Sequence, residues 1–90
     1  MGKSVLIADG NKRKRSALAQ YFRAFGFAAY EAGMCEEAVK LAGQYRPDCL
    51  LLHRRLSGGA AAVCVRIWSD EYLKTTPIVV LGGYDSELAV

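Results

Sequence analysis

The sequence is short of several things, and each shortage removes a class of protein. It has one histidine, three cysteines and two prolines in ninety residues. Cys35, Cys49 and Cys64 are odd in number and far apart, with no C-x-x-C pair. A tetrahedral zinc site needs about four ligands, usually in close pairs, and His53 cannot complete one. Small buried thiols in a reducing compartment account for the three cysteines, so no metal is expected. No apolar run approaches the ~20 residues of a membrane span, and the longest are strand-sized, such as Ile78 to Leu81. The N-terminal MGKSVLIAD offers only Val5 to Ala8 before Asp9 intervenes. That is too short for a signal-peptide core, and the expected location is cytoplasmic. Gly2 lacks the downstream hydroxyl residue that a myristoylation signal wants. Charge of one sign is also scarce. The net +3 comes mostly from 12-KRKR-15 and Arg54/Arg55 and does not by itself call for a nucleic-acid partner.

What is there is ordinary for a globular chain: 52% hydrophobic residues and 23% charged. Residues 1–90 make one small domain. Ser4 to Ala8 is a short apolar run ended by Asp9-Gly10-Asn11, which reads as a buried strand and a turn. From Lys12 to Phe25 the apolar residues Ala17, Leu18, Tyr21, Phe22 and Phe25 recur at helical spacing. Asn11 can cap this helix and Gly26 can end it. Phe27 to Glu31 reads as a second strand. Cys35 to Tyr45 reads as a helix broken by Arg46-Pro47-Asp48. Cys49 to Leu52 is wholly apolar, the pattern of a central strand covered on both faces. Ala60 to about Glu71 reads as a third helix, with Val63, Ile67 and Trp68 available to face inward. Ile78 to Leu81 is a fourth strand, and Ser86 can cap a further helix start that reaches Val90.

This alternation implies a parallel sheet with helices on both faces, in which ligands sit at the carboxyl ends of the strands. Those ends are Asp9-Gly10-Asn11, His53-Arg54-Arg55 and Gly82-Gly83. With the residues so placed, the chain resembles the receiver domain of bacterial response regulators. VLIAD at 5–9 is similar to that family's first strand and its acidic end. FRAFGF at 22–27, EAGMCEEAVKLA at 31–42, RPDCLLLH at 46–53 and TTPIVVLGG at 75–83 follow in the family's order and spacing. The resemblance implies a flavodoxin-like doubly wound α/β sheet with strand order 2-1-3-4 and the family's fifth strand missing. It also implies a chemistry. Family members accept a phosphoryl group on an aspartate ending the third strand, and two acidic residues after the first strand help hold Mg²⁺. A hydroxyl residue after the fourth strand and a lysine after the fifth sense the phosphate. Carboxylates are required because Mg²⁺ wants oxygen ligands.

Few of those positions match. His53 stands at the phospho-acceptor position. Asp9 remains of the acidic pair, and Gly10 follows it. Gly82 stands at the hydroxyl position. The sequence therefore points to a pseudo-receiver, not an enzyme, with no cofactor, acting through protein partners in a signalling pathway. Two other uses stay open beside it. His53, Arg54, Arg55, Lys12 and Gly82 together make a candidate anion-binding rim of reversed polarity, with backbone N–H groups at the glycines. Against this, charge runs are usually solvated faces. The other use is a phosphoryl carrier at His53. A nucleic-acid role is not expected, because no stacking platform or recognition-helix pattern accompanies 12-KRKR-15, and no membrane role is expected. The apolar fourth strand on an edge invites pairing with another chain, so either a homodimer or a longer parent protein is expected.

Overall fold

A computed structural model describes residues 2–82. Gly83 and the helix start anticipated at Ser86–Val90 lie outside the described residues. The elements alternate strictly: β1 (Ser4–Ala8), α1 (Lys12–Ala24), β2 (Ala28–Ala32), α2 (Cys35–Tyr45), β3 (Cys49–His53), α3 (Ala60–Trp68) and β4 (Ile78–Leu81). The four strands form one parallel sheet in the order β2-β1-β3-β4. This is the flavodoxin-like arrangement expected from the sequence.

The register is set at the N-terminal ends of the strands. Asp48 Oδ2 accepts from Ser4 N at 2.7 Å, and Asp48 N donates to Ser4 O at 3.0 Å. Ala28 N donates to Lys3 O, and Leu50 N to Pro77 O. From there the side chains alternate between two cores. Leu6, Ala8, Leu50 and Leu52 face α2 and α3 and meet Ala38, Ala42, Val63 and Ile67. Val5 and Ile7 face α1 and meet Ala19 and Ala29, with Leu18, Phe22, Phe27 and Leu51 partly buried around them. The first core is the larger. Burying a Leu or Ile side chain contributes about 1.5–3 kcal/mol, so most of the hydrophobic stabilisation lies on the α2/α3 side.

Several boundaries and facings differ from the sequence reading. β2 begins at Ala28, one residue later, because Phe27 N still donates to Phe22 O across the turn that ends α1. Phe27 packs its ring edge-on to Phe22 at 5.3 Å. Helix α3 ends at Trp68, because Ser69 turns its hydroxyl back to Val65 O at 2.7 Å and Asp70 Oδ1 accepts from Tyr72 N. Trp68 consequently lies outside, about half exposed. Helix α1 presents a different face from the one its apolar spacing suggested. Ala19 is its fully buried residue, while Ala17, Tyr21 and Phe25 are exposed. Finally, β3 is not covered on both faces: Leu50 and Leu52 are buried, but Leu51, facing α1, is only half-buried.

Candidate functional site

The three loops at the C-terminal ends of the strands build the site. After β1, Asp9 Oδ1 accepts from Asn11 N at 2.9 Å, and Asn11 Oδ1 accepts from Lys14 N at 3.0 Å. The first bond closes the turn and the second caps α1. One turn further on, Arg15 reaches back under this loop. Its Nη1 donates to the Asp9 carbonyl at 2.9 Å and its Nε to Glu31 Oε1 at 3.0 Å. Ser16 Oγ donates to the same Glu31 oxygen. Burial alone pushes the Glu31 carboxyl up. The hydrogen bonds from Arg15 and Ser16 and the charges of Arg15 and Arg23 outweigh it and hold the group below its ordinary value. Arg15 is thereby a structural guanidinium that ties the end of β1 to β2. Nothing in the sequence marks this pairing across sixteen residues.

After β3, the His53 ring lies on the α1 face of the sheet. Its Nδ1 accepts from Arg55 N at 3.0 Å, which assigns the proton of the neutral ring to Nε2. Across from it, Arg54 N donates to Leu81 O at 2.8 Å and joins the ends of β3 and β4. Gly82 follows with φ +82. A Cβ there would run into His53 Nε2, with Cδ2 at 2.8 Å and Cε1 at 3.1 Å. The imidazole thus occupies the space that any larger residue at 82 would use. The loop continues through Leu56, which is buried, and Gly58, whose φ is +93 and whose added Cβ would meet Cys35 Cβ at 2.6 Å. This glycine lets the loop lie against the start of α2, where Cys35 N donates to Ser57 O at 2.8 Å.

These parts line a cleft of about 470 Å³ between α1 and β4. Asp9, His53 and Gly82, three positions singled out in the sequence, come together in its wall. Lys12, Arg54 and Arg55 do not line it and are exposed. The cation that does line it is Lys14, and the rest of the wall is Ala17, Leu18, Tyr21 and Leu81. The helical spacing 14-17-18-21 carried this signal, but the same spacing also describes a core stripe, which is how the sequence reads it. The cleft is therefore chiefly apolar, with a mixed polar end.

The architecture matches solved structures closely. A response regulator receiver protein from Pseudomonas putida is 28% identical, with a TM-score of 0.81 over 99% of this chain and 75% of that one. A chain described as a response regulator from Chloroflexus aurantiacus J-10-fl is 25% identical, with a TM-score of 0.84 over 99% of this chain and 76% of that one. The receiver domain of a sensor histidine kinase from Pseudomonas aeruginosa PAO1, solved with a magnesium ion coordinated in its active-site cleft, is 21% identical, with a TM-score of 0.86 over 93% of this chain and 70% of its own. No family model and no curated protein matches the sequence. Fold and comparisons together define a signal-receiver architecture. The chain is a receiver-like domain of the kind found in two-component response regulators.

Magnesium is the ion this fold implies, and the donors present do not fit it. Asp9 is the one carboxylate in the cleft wall, its Oδ1 is engaged by Asn11 N, and the position after it is Gly10. The third-strand position carries an imidazole where a hard cation wants oxygen. Among the described residues, no three His, Cys, Asp or Glu side chains stand close enough to hold a metal ion. No helix among them is long and apolar enough to cross a membrane.

Proposed function

We propose that this is a pseudo-receiver: a single receiver-like domain that is not phosphorylated on aspartate and acts in a signalling pathway by binding other proteins. The observation that carries the reading is the engagement of His53 at the third-strand end. Its Nδ1 is held by Arg55 N and its Nε2 edge lies against Gly82. With Asp9 closing its own turn, no oxygen-rich cradle remains for a metal-bound phosphoryl group. The same geometry disfavours a phosphoryl carrier at His53, since one ring nitrogen is committed and the other is hemmed in. The reversed-polarity rim receives less support than protein binding, because Lys12, Arg54 and Arg55 stand outside a cleft whose walls are mostly apolar.

The test is an amide NMR titration of the ¹⁵N-labelled chain with Mg²⁺ and beryllofluoride, a phosphoryl mimic. The expected result is no saturable shift at Asp9, Gly10, His53 or Gly82. Saturable shifts there that vanish in Asp9→Ala would overturn the proposal.

A further inference from the structure

Helix α1 carries two apolar stripes, and the sheet covers only one. Leu18, Ala19 and Phe22 pack on the strands. Tyr21 and Phe25 pair with each other, ring centroids 5.0 Å apart, yet are 59% and 68% exposed. The helix packs against β1 and β2. The adjoining floor, over β3 and β4, has no helix above it among the described residues. Register places Val79 beside Leu51 and Leu81 beside His53, so these side chains share the α1 face. Val79 is 44% exposed and Leu81 37%. Two strands span ~10 Å, which is the diameter of one helix.

The charge at one end of this groove is also unbalanced. The first turn of α1 has no acidic residue. Lys14 lines the cleft and forms no ion pair among the described residues. The nearby Asp9 carboxylate is already taken up by Asn11 N.

We propose that the groove between α1 and β4 is the docking site for an amphipathic helix of a partner protein. Its apolar face lies on Leu18, Tyr21 and Leu81, and an acidic side chain meets Lys14. This rests on the protein-binding reading above and names its surface and the chemistry of its partner. A second copy joined edge to edge at β4 does not fill the groove. A two-fold axis between two β4 strands keeps both α1 helices on one face and leaves ~20 Å of bare floor between them. A strand can satisfy the edge of β4, but the groove needs a helix-sized body.

The probes are two synthetic fourteen-residue helical peptides with the same leucine stripe, one ending in a glutamate pair and the other in a lysine pair. Each is titrated into the ¹⁵N-labelled chain. The acidic peptide is expected to shift the amides of Ala17, Leu18, Tyr21, Leu81 and Gly82 and to bind roughly tenfold tighter than the basic one. Lys14→Glu, on an exposed side chain, should reverse that order, and Tyr21→Ala should weaken both peptides. Equal affinities, shifts confined to α2 and α3, or no binding would overturn the proposal. So would dilution-dependent shifts at the same amides, which would make a second copy the occupant. Contacts from residues 83–90 to Tyr21 in the free chain would assign the groove to the chain itself. Silent peptides with a silent Mg²⁺–beryllofluoride titration overturn the groove alone, whereas a metal response at Asp9 and His53 overturns the reading beneath it.

Discussion

Replacing Gly82 with alanine tests whether the His53 ring and the backbone at 82 are one unit. The added methyl group meets the imidazole edge, and φ +82 is a region that L side chains rarely adopt. Forcing alanine into positive φ costs about 1–2 kcal/mol. Pushing the ring aside breaks the bond from Arg55 N to His53 Nδ1, worth about 1 kcal/mol. Gly82→Ala should therefore lose about 2–3 kcal/mol, a large share of the ~5–13 kcal/mol that a chain of this size holds. In a His53→Ala background the steric part disappears and only the backbone part remains, about 1–2 kcal/mol. Urea unfolding of the four proteins gives the coupling directly, with an expected value near 1 kcal/mol. A cost for Gly82→Ala that is the same with and without the ring would refute the reasoning. A freely tolerated Gly82→Ala would refute the placement of the ring itself.

The Glu31 cluster carries an acid-sensitive share of the stability. Its folded value lies below the ordinary one, so the contribution is complete above about pH 4.5 and is lost as pH falls through the folded value. Glu31→Gln should cost about 1–2 kcal/mol at neutral pH, and the gap to the wild type should close in acid, read by thermal melts across pH. Leu52→Ala, at a fully buried centre of the sheet, should cost about 3–5 kcal/mol, enough to leave the chain largely unfolded by circular dichroism at 37 °C. Burial pushes the Cys49 and Cys64 thiols up, so both should alkylate slowly with iodoacetamide at pH 8 and quickly once urea unfolds the chain. Fast labelling of either thiol in the folded chain would show that its cover opens.

The strands and the sheet order were legible because buried parallel strands are written as apolar runs with turn signals at their ends. β1, α2 and β4 fall at the expected residues, as does the meeting of Asp9, His53 and Gly82 at one end of the sheet. The facing of α1 was not legible. Periodicity reports that apolar residues share a stripe, not which body that stripe meets, and α1 has two stripes. The sheet took the one through Ala19, leaving Tyr21 and Phe25 outside. Arg15 looked like one more member of a basic run. Its burial against Glu31 and the Asp9 carbonyl depends on β2 lying beside β1, which no local pattern states. The same limit applies to the choice between Lys12 and Lys14. Both are exposed cations in the first turn, and the direction of the helix decides which one borders the cleft.

The bonds that fix the register all lie at the end of the sheet remote from the cleft: Ser4 with Asp48, Lys3 with Ala28, and Pro77 with Leu50. The ladder is anchored like a comb held by its spine. Residues at the free tips, such as Gly10, Arg54 and Arg55, can change identity without disturbing how the teeth are spaced. A lineage of such domains can thus discard an old reaction one side chain at a time, remaining foldable at each step, and turn the vacated end to recognition.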